Sequence, residues 1–181
     1  MSFFVQKRRA YTHAIMENAT EPKWYTEFRA KLNSDPNTAE DHTLYIGQPA
    51  NTPRGINPTT QYTVILHGKN SKSCHSWYLD HPTGNAHDLH LGPFALVHTV
   101  HPAPAEGSSC PCAQLQTVRV GQVDAVDYEK FVAIIASLDP SLASHAFVSD
   151  VLQFGRAADI LYNHQVICAF KALFGVGPSP K

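Results

Sequence analysis

Between Tyr62 and Val123 the chain is written in short runs of β-branched and aromatic residues, and beyond Asp127 in helical periods. That order constrains the fold more than any other feature. "YTVILHG" reads as a buried strand, and "CHSWYLD", "AHDLHLG", "FALVHTV" and "LQTVRVGQV" read as further strands. "KNSKS", "HPTGN" and "HPAPAEGSSCPCAQ" supply the turn residues between them. "DYEKFVAIIASL" starts at Asp127 as a cap and sets Phe131, Ile134, Ile135 and Leu138 on one helical face. "DPSLASHAFVSDVLQFG" predicts a second helix, with Asp139 as cap, Pro140 in its first position and Gly155 closing it. "NHQVICAFKALFG" predicts a last helix, again closed by a glycine. Strands first and helices afterwards imply an α+β fold, an antiparallel β-sheet packed against C-terminal helices.

The 181 residues suffice for one domain with a sizeable core and are too few for two. Residues 1–60 read as a helix and loop lead-in to the core at 61–175. In "TEPKWYTEFRAKL", Thr20 caps, Pro22 falls in the first turn, and Trp24, Phe28 and Leu32 recur at helical spacing. "TLYIG" is a short strand, and "QPANTPRGINPTTQ" is a loop broken by its prolines. A net charge of −1 offers no electrostatic footprint for nucleic acid or an anionic membrane. No run has the length of a membrane span. The N-terminal charges follow the apolar patch instead of preceding it, which is not the order of a secretory signal. The expectation is a cytoplasmic protein whose four cysteines are thiols, so that the sequon at Asn18 has no meaning.

The chain holds 11 histidines, and register decides which of them can cooperate. On "CHSWYLD", His75 shares a face with Trp77 and Leu79; on "AHDLHLG", His87 shares one with Leu89 and Leu91. A five-residue turn, His81 to Asn85, points His75 and His87 to the same core side. A four-residue turn sets His90 there in place of His87. Buried imidazoles need partners for their ring nitrogens, so such a pair is hydrogen-bonded, metal-bound or at a cleft. The plain alternative is a set of satisfied structural histidines lining a half-buried sheet.

"HSWYLDHPTGNAHDLHLGPF" resembles the histidine-bearing hairpin of the lecithin–retinol acyltransferase-like, circularly permuted branch of the papain-like superfamily. In that branch a first-strand His, followed closely by Trp, and a second His on the next strand flank a nucleophilic Cys. His75 and Trp77 match the first element; His87 matches the second, with His90 as its competitor. The nucleophile of that branch opens a later helix in an Asn-Cys-Glu/Gln context. Here "YNHQV" has His164 where the Cys would stand. "VRVGQVDAVDYEKFVAIIASL" together with that helix start is similar to fungal proteins of the same superfamily, and the resemblance spans residues 62–175.

The resemblance implies acyl transfer or hydrolysis on an amide, ester or thioester, with a small-molecule substrate near Trp77, Tyr162 and Asn163. It makes His75 the general base and has His87 or His90 orient it or support an oxyanion. Covalent chemistry requires a thiolate at a helix N-terminus beside an imidazole. His164 cannot supply one; Cys168, one turn further along the helix, is the remaining candidate nucleophile. A second enzymatic reading is a repurposed histidine pocket doing acid–base chemistry without a covalent intermediate, suited to cyclisation or isomerisation in specialised metabolism. A third reading, of another class, is an inactive relative that binds a ligand or protein partner.

At a helix N-terminus the His164 imidazole stays neutral, available as base, nucleophile or ligand. One continuous helix from Ala157 to Phe174 would instead bury Asn163 and His164 in its middle and abolish that site. No cofactor is expected; should His75, His87 and His164 converge, they would suit zinc with an open fourth position. The Cys110-Pro111-Cys112 pair could ligate a metal with Cys74, but no second pair completes a finger. "HGKNSKS" lacks the spacing of a phosphate-binding loop, and no nucleophile elbow is present.

Overall fold

The structure, a computed structural model, describes residues 21–34, 40–50, 52, 55, 60–80, 94–103, 111–140 and 143–175. The elements are α1 (Lys23–Ser34), β1 (His42–Gln48), β2 (Thr63–Gly68), β3 (Cys74–Asp80), β4 (Ala95–His101), β5 (Gln116–Val123), α2 (Tyr128–Ser137), α3 (Ser144–Ala157) and α4 (Asn163–Phe174). Short 3-10 turns at Pro111–Gln114 and Ala125–Asp127 flank β5. The strands form one antiparallel sheet in the order β4-β3-β2-β1-β5. This is the α+β arrangement implied by the order of strand and helix signals.

Alternation assigns the two faces of the sheet. Leu44 and Ile46 of β1, Val64 and Leu66 of β2, and Trp77 and Leu79 of β3 turn to the same side and are fully buried. The four helices among the described residues close over that side into one apolar cluster. Beyond its exposed Glu129 and Lys130, α2 is buried all round from Phe131 to Ala136, because α1 and α3 flank it above the sheet. Phe131, Ile134, Ile135 and Leu138 are all buried, as their spacing predicts. Helix α1 contributes Tyr25 and Phe28 to the core, with Trp24 and Leu32 packed at its margin.

The segment read as a lead-in proves central to the sheet. β1 lies between β2 and β5, and its ladder to β5 carries a bulge between Leu44 and Tyr45. β3 has both edges occupied, by β2 and by β4. The strand opposite Trp77 is therefore "ALVHTVH", whereas "AHDLHLG", expected in that place, lies outside the described residues.

Two helix boundaries differ from their sequence signals. α3 begins at Ser144, not at the Asp139-Pro140 pair. The Ser144 hydroxyl accepts from the Tyr62 backbone N–H at 2.8 Å, which ties the helix start to the entry of β2. Gly155 does not close α3; the helix runs through it to Ala157. A Cβ there would stand 2.8 Å from Leu161 Cδ1 and 3.1 Å from Phe131 Cε2, so the glycine is required by packing. The carbonyl of Gly155 accepts from the N–H groups of Ile160 and Leu161, and Asp159 turns through a left-handed conformation. The chain thus breaks between α3 and α4, and the continuous helix considered from sequence does not form. Gly175, at φ 71°, closes α4 as its position predicts.

Replacing Gly155 with alanine would gain about 1 kcal/mol in an open helix. Here overpacking against buried Leu161 and Phe131 outweighs that gain, and a net loss of about 1–2 kcal/mol is expected. Urea unfolding of Gly155→Ala measures it, and a stabilised variant would contradict the packing role.

Candidate functional site

The helix-covered face of the sheet also carries three imidazoles. His42 opens β1, His75 is the second residue of β3, and His98 lies in β4 directly opposite Trp77. His75 Nδ1 and His98 Nε2 are 3.3 Å apart, a hydrogen bond in which one ring donates and the other accepts. Trp77 lies nearly parallel to His98, with centroids 4.8 Å apart, and Trp24 of α1 covers the same ring at 4.9 Å. His42 stacks on Tyr128, the first residue of α2, at 4.0 Å and 10°. Tyr128 and His42 each stand edge-on to His75 at 6.2 Å.

The electrostatics follow from this packing. Burial, then the neighbouring His98, His42 and Lys31, push His75 down to about 3. Burial and Lys31 push His98 down to about 4. Burial also lowers His42 and raises the Tyr128 phenol. All three imidazoles are therefore neutral near pH 7, and Tyr128 stays protonated. The carbonyl of Glu40 can only accept, so the 2.7 Å contact assigns the His42 proton to Nδ1 and leaves its Nε2 as a lone pair.

A hydrogen-bonded pair of neutral imidazoles has a further property. One proton lies between His75 Nδ1 and His98 Nε2, and of the two remaining ring nitrogens one is N–H and the other a lone pair. The pair thus presents an acid and a base together, and shifting its protons exchanges the roles. Among the described residues, the buried Nε1–H groups of Trp24 and Trp77 have no hydrogen-bond partner. An unpaired buried donor costs about 1–3 kcal/mol, and two beside one imidazole invite an acceptor oxygen.

Of the residues singled out from sequence, His75 and Trp77 belong to this cluster, while His87 and His90 lie outside the described residues. Asn163 does open α4, where the Gln165 side chain accepts from the Tyr162 N–H at 3.0 Å. That turn does not face His75. Gln165 sits on Gly121 of β5, and His75, Leu66, Leu44 and Gly121 form one row across four strands. Three strand spacings, about 14 Å, separate the ends of that row. His164 is exposed and stacks on Tyr162, Asn163 accepts from Arg156, and Cys168 is exposed on α4. The helix start beside His75 is that of α2, through Tyr128.

Sequence reasoning missed His42, His98 and Tyr128. Alternation in "HTLYIG" and "ALVHTVH" puts His42 with Leu44 and His98 with Leu96, but strand order was needed to bring them to His75. Among the described residues no group of three His, Cys, Asp or Glu side chains is arranged to hold a metal ion. No helix among them is long and apolar enough to cross a membrane. No protein-family model, curated protein or solved structure matches the chain.

The depressed histidines make stability depend on pH. An unfolded imidazole binds a proton below its ordinary 6.5, whereas folded His75 and His98 resist until about 3 and 4. Their contribution is complete above 6.5 and declines as pH falls toward the folded values, each adding a slope of about 1.4 kcal/mol per pH unit. Urea midpoints measured between about pH 6 and pH 5 are expected to fall steeply, and His98→Gln to remove roughly one proton's share of the slope. Equal slopes in the two proteins would contradict neutral burial.

Proposed function

We propose that the protein is a small acid–base enzyme, and that the bonded His75–His98 pair moves protons on a small-molecule substrate without a covalent intermediate. The observation that carries this reading is the 3.3 Å contact between two neutral imidazoles walled by Trp24 and Trp77. A single pair that holds base and acid together suits reactions that remove a proton at one atom and return one at another, such as isomerisations and cyclisations. The unpaired indole N–H groups favour a substrate with a carbonyl-type oxygen, whose charge grows as the neighbouring proton leaves. The flat rings of Trp24, Trp77 and His98 favour an apolar, planar body. The substrate is then a small carbonyl compound.

An antiparallel sheet with helices on one face, and a helix opening at Asn163, support descent from the papain-like, circularly permuted architecture. In this proposal the covalent machinery of that architecture has lapsed. His164 replaces its nucleophile, and Cys168 lies on a helix anchored over β5, away from His75 on β3. A second reading, a ligand-binding domain without turnover, draws on the lack of any described salt bridge between these histidines and a carboxylate that would orient them.

The base-promoted ring opening of 5-nitrobenzisoxazole tests the proposal, because it needs one proton taken from carbon and one developing oxyanion stabilised. Turnover above buffer is expected, with a loss of at least tenfold in His75→Gln and in His98→Gln. The wild-type rate should decline only as pH falls toward about 4, where His98 takes up a proton. Quenching of tryptophan fluorescence by the probe without turnover would replace this proposal with the binding reading. Turnover that survives His75→Gln would place the base elsewhere.

A further inference from the structure

The opposite face of the same strand carries a second chemical feature. Cys74 precedes His75 and so points away from the histidine cluster, where it is 1% exposed. Its Sγ lies 3.2 Å from that of Cys112, in the 3-10 turn Pro111–Gln114. The turn is held against the sheet: the Leu115 N–H donates to the Cys112 carbonyl, and Leu115 packs so closely on Gly47 that a Cβ there would meet its Cδ1 at 2.7 Å. A cavity of about 260 Å³ reaches the pair, lined by Tyr45, Ile65, His67, Cys74, Cys112 and Thr117. His67 is the direct cross-strand partner of Cys74 on β2. Cβ atoms so opposed lie about 5 Å apart, which brings an imidazole within reach of the thiol.

We propose that Cys74 and Cys112 form a peroxide-oxidisable dithiol, a reversible cross-link between β3 and the 3-10 turn that crosses over it. Two sulfur atoms already in contact close a bond with little movement of either backbone. Cys112, the more exposed of the two, reacts first. Its thiolate takes one oxygen of a hydroperoxide, becoming a sulfenic acid, while the other oxygen leaves as water or alcohol. The Cys74 thiol gives its proton to His67 and attacks the Cys112 sulfur, forming the S–S bond and expelling hydroxide, which collects that proton as water. The two sulfurs lose two electrons, and the peroxide O–O bond consumes them. A low-molecular-weight thiol reverses the step by exchange.

The test uses the full chain. The reduced protein is treated with one equivalent of hydrogen peroxide, its thiols are counted by alkylation, and its peptides are mapped without reduction. Expected are the loss of two of the four thiols, a linked peptide joining Cys74 to Cys112, and full reversal by dithiothreitol. Closing a loop of this length should raise Tm by roughly 10 °C. Cys112→Ser, at a half-buried site, should keep the reduced fold while losing both the link and the Tm rise; Cys74→Ser should also lose the link. A bond from Cys74 or Cys112 to Cys110 or Cys168, or overoxidation without any bond, would overturn the proposal.

Discussion

The register of one strand governs both proposed sites of this molecule. β3 is hydrogen-bonded on both edges, and consecutive side chains on it point to opposite faces. His75 and Trp77 therefore enter the helix-covered side, while Cys74 and Ser76 take the opposite face, where Cys74 meets the 3-10 turn. Slipping the strand by one residue would exchange the two sets, bringing a thiol among the indoles and imidazoles toward the cysteine turn. Trp77, fully buried on the helix-covered face, favours this register, since a slip would take its indole out of that core.

Above the sheet, packing sets the chemistry more than charge does. No carboxylate is bonded to His75 or His98 among the described contacts; burial above all, with the Lys31 charge and, for His75, the neighbouring imidazoles, keeps them neutral. The Tyr128 ring, laid flat on His42, ties α2 to the first strand, and Phe28 of α1 meets Tyr128 edge-on. A chain of aromatic contacts thus runs from the outer helix through α2 to the imidazoles. The imidazoles sit where apolar packing is dense, which favours their neutral forms.

Helix α4 illustrates how a local signal can be read correctly and still leave its position over the sheet undetermined. Asn163 opens the helix, Gln165 caps it and Gly175 closes it, all from short-range chemistry. Its place over Gly121 of β5 follows from that glycine, whose missing side chain leaves room for Gln165. Nothing local to "YNHQV" states which strand lies beneath it. The short-range signals therefore fix the helix start, while its separation from His75 follows from strand order.

The amino-acid sequence by itself determined the class of fold, most strands and helices, the buried face of α2 and the ends of α4, because alternation, helical period and glycine conformations act over a few residues. It also marked His75 and Trp77 as sharing one face. Only the tertiary structure decided that β1 lies inside the sheet, that His98 and His42 join His75, that Gly155 serves packing, and that Cys112 reaches Cys74. Those outcomes depend on which strands pair and which helices cross them. That is settled by the total apolar surface buried between segments distant in the chain, and no short window of residues carries that sum.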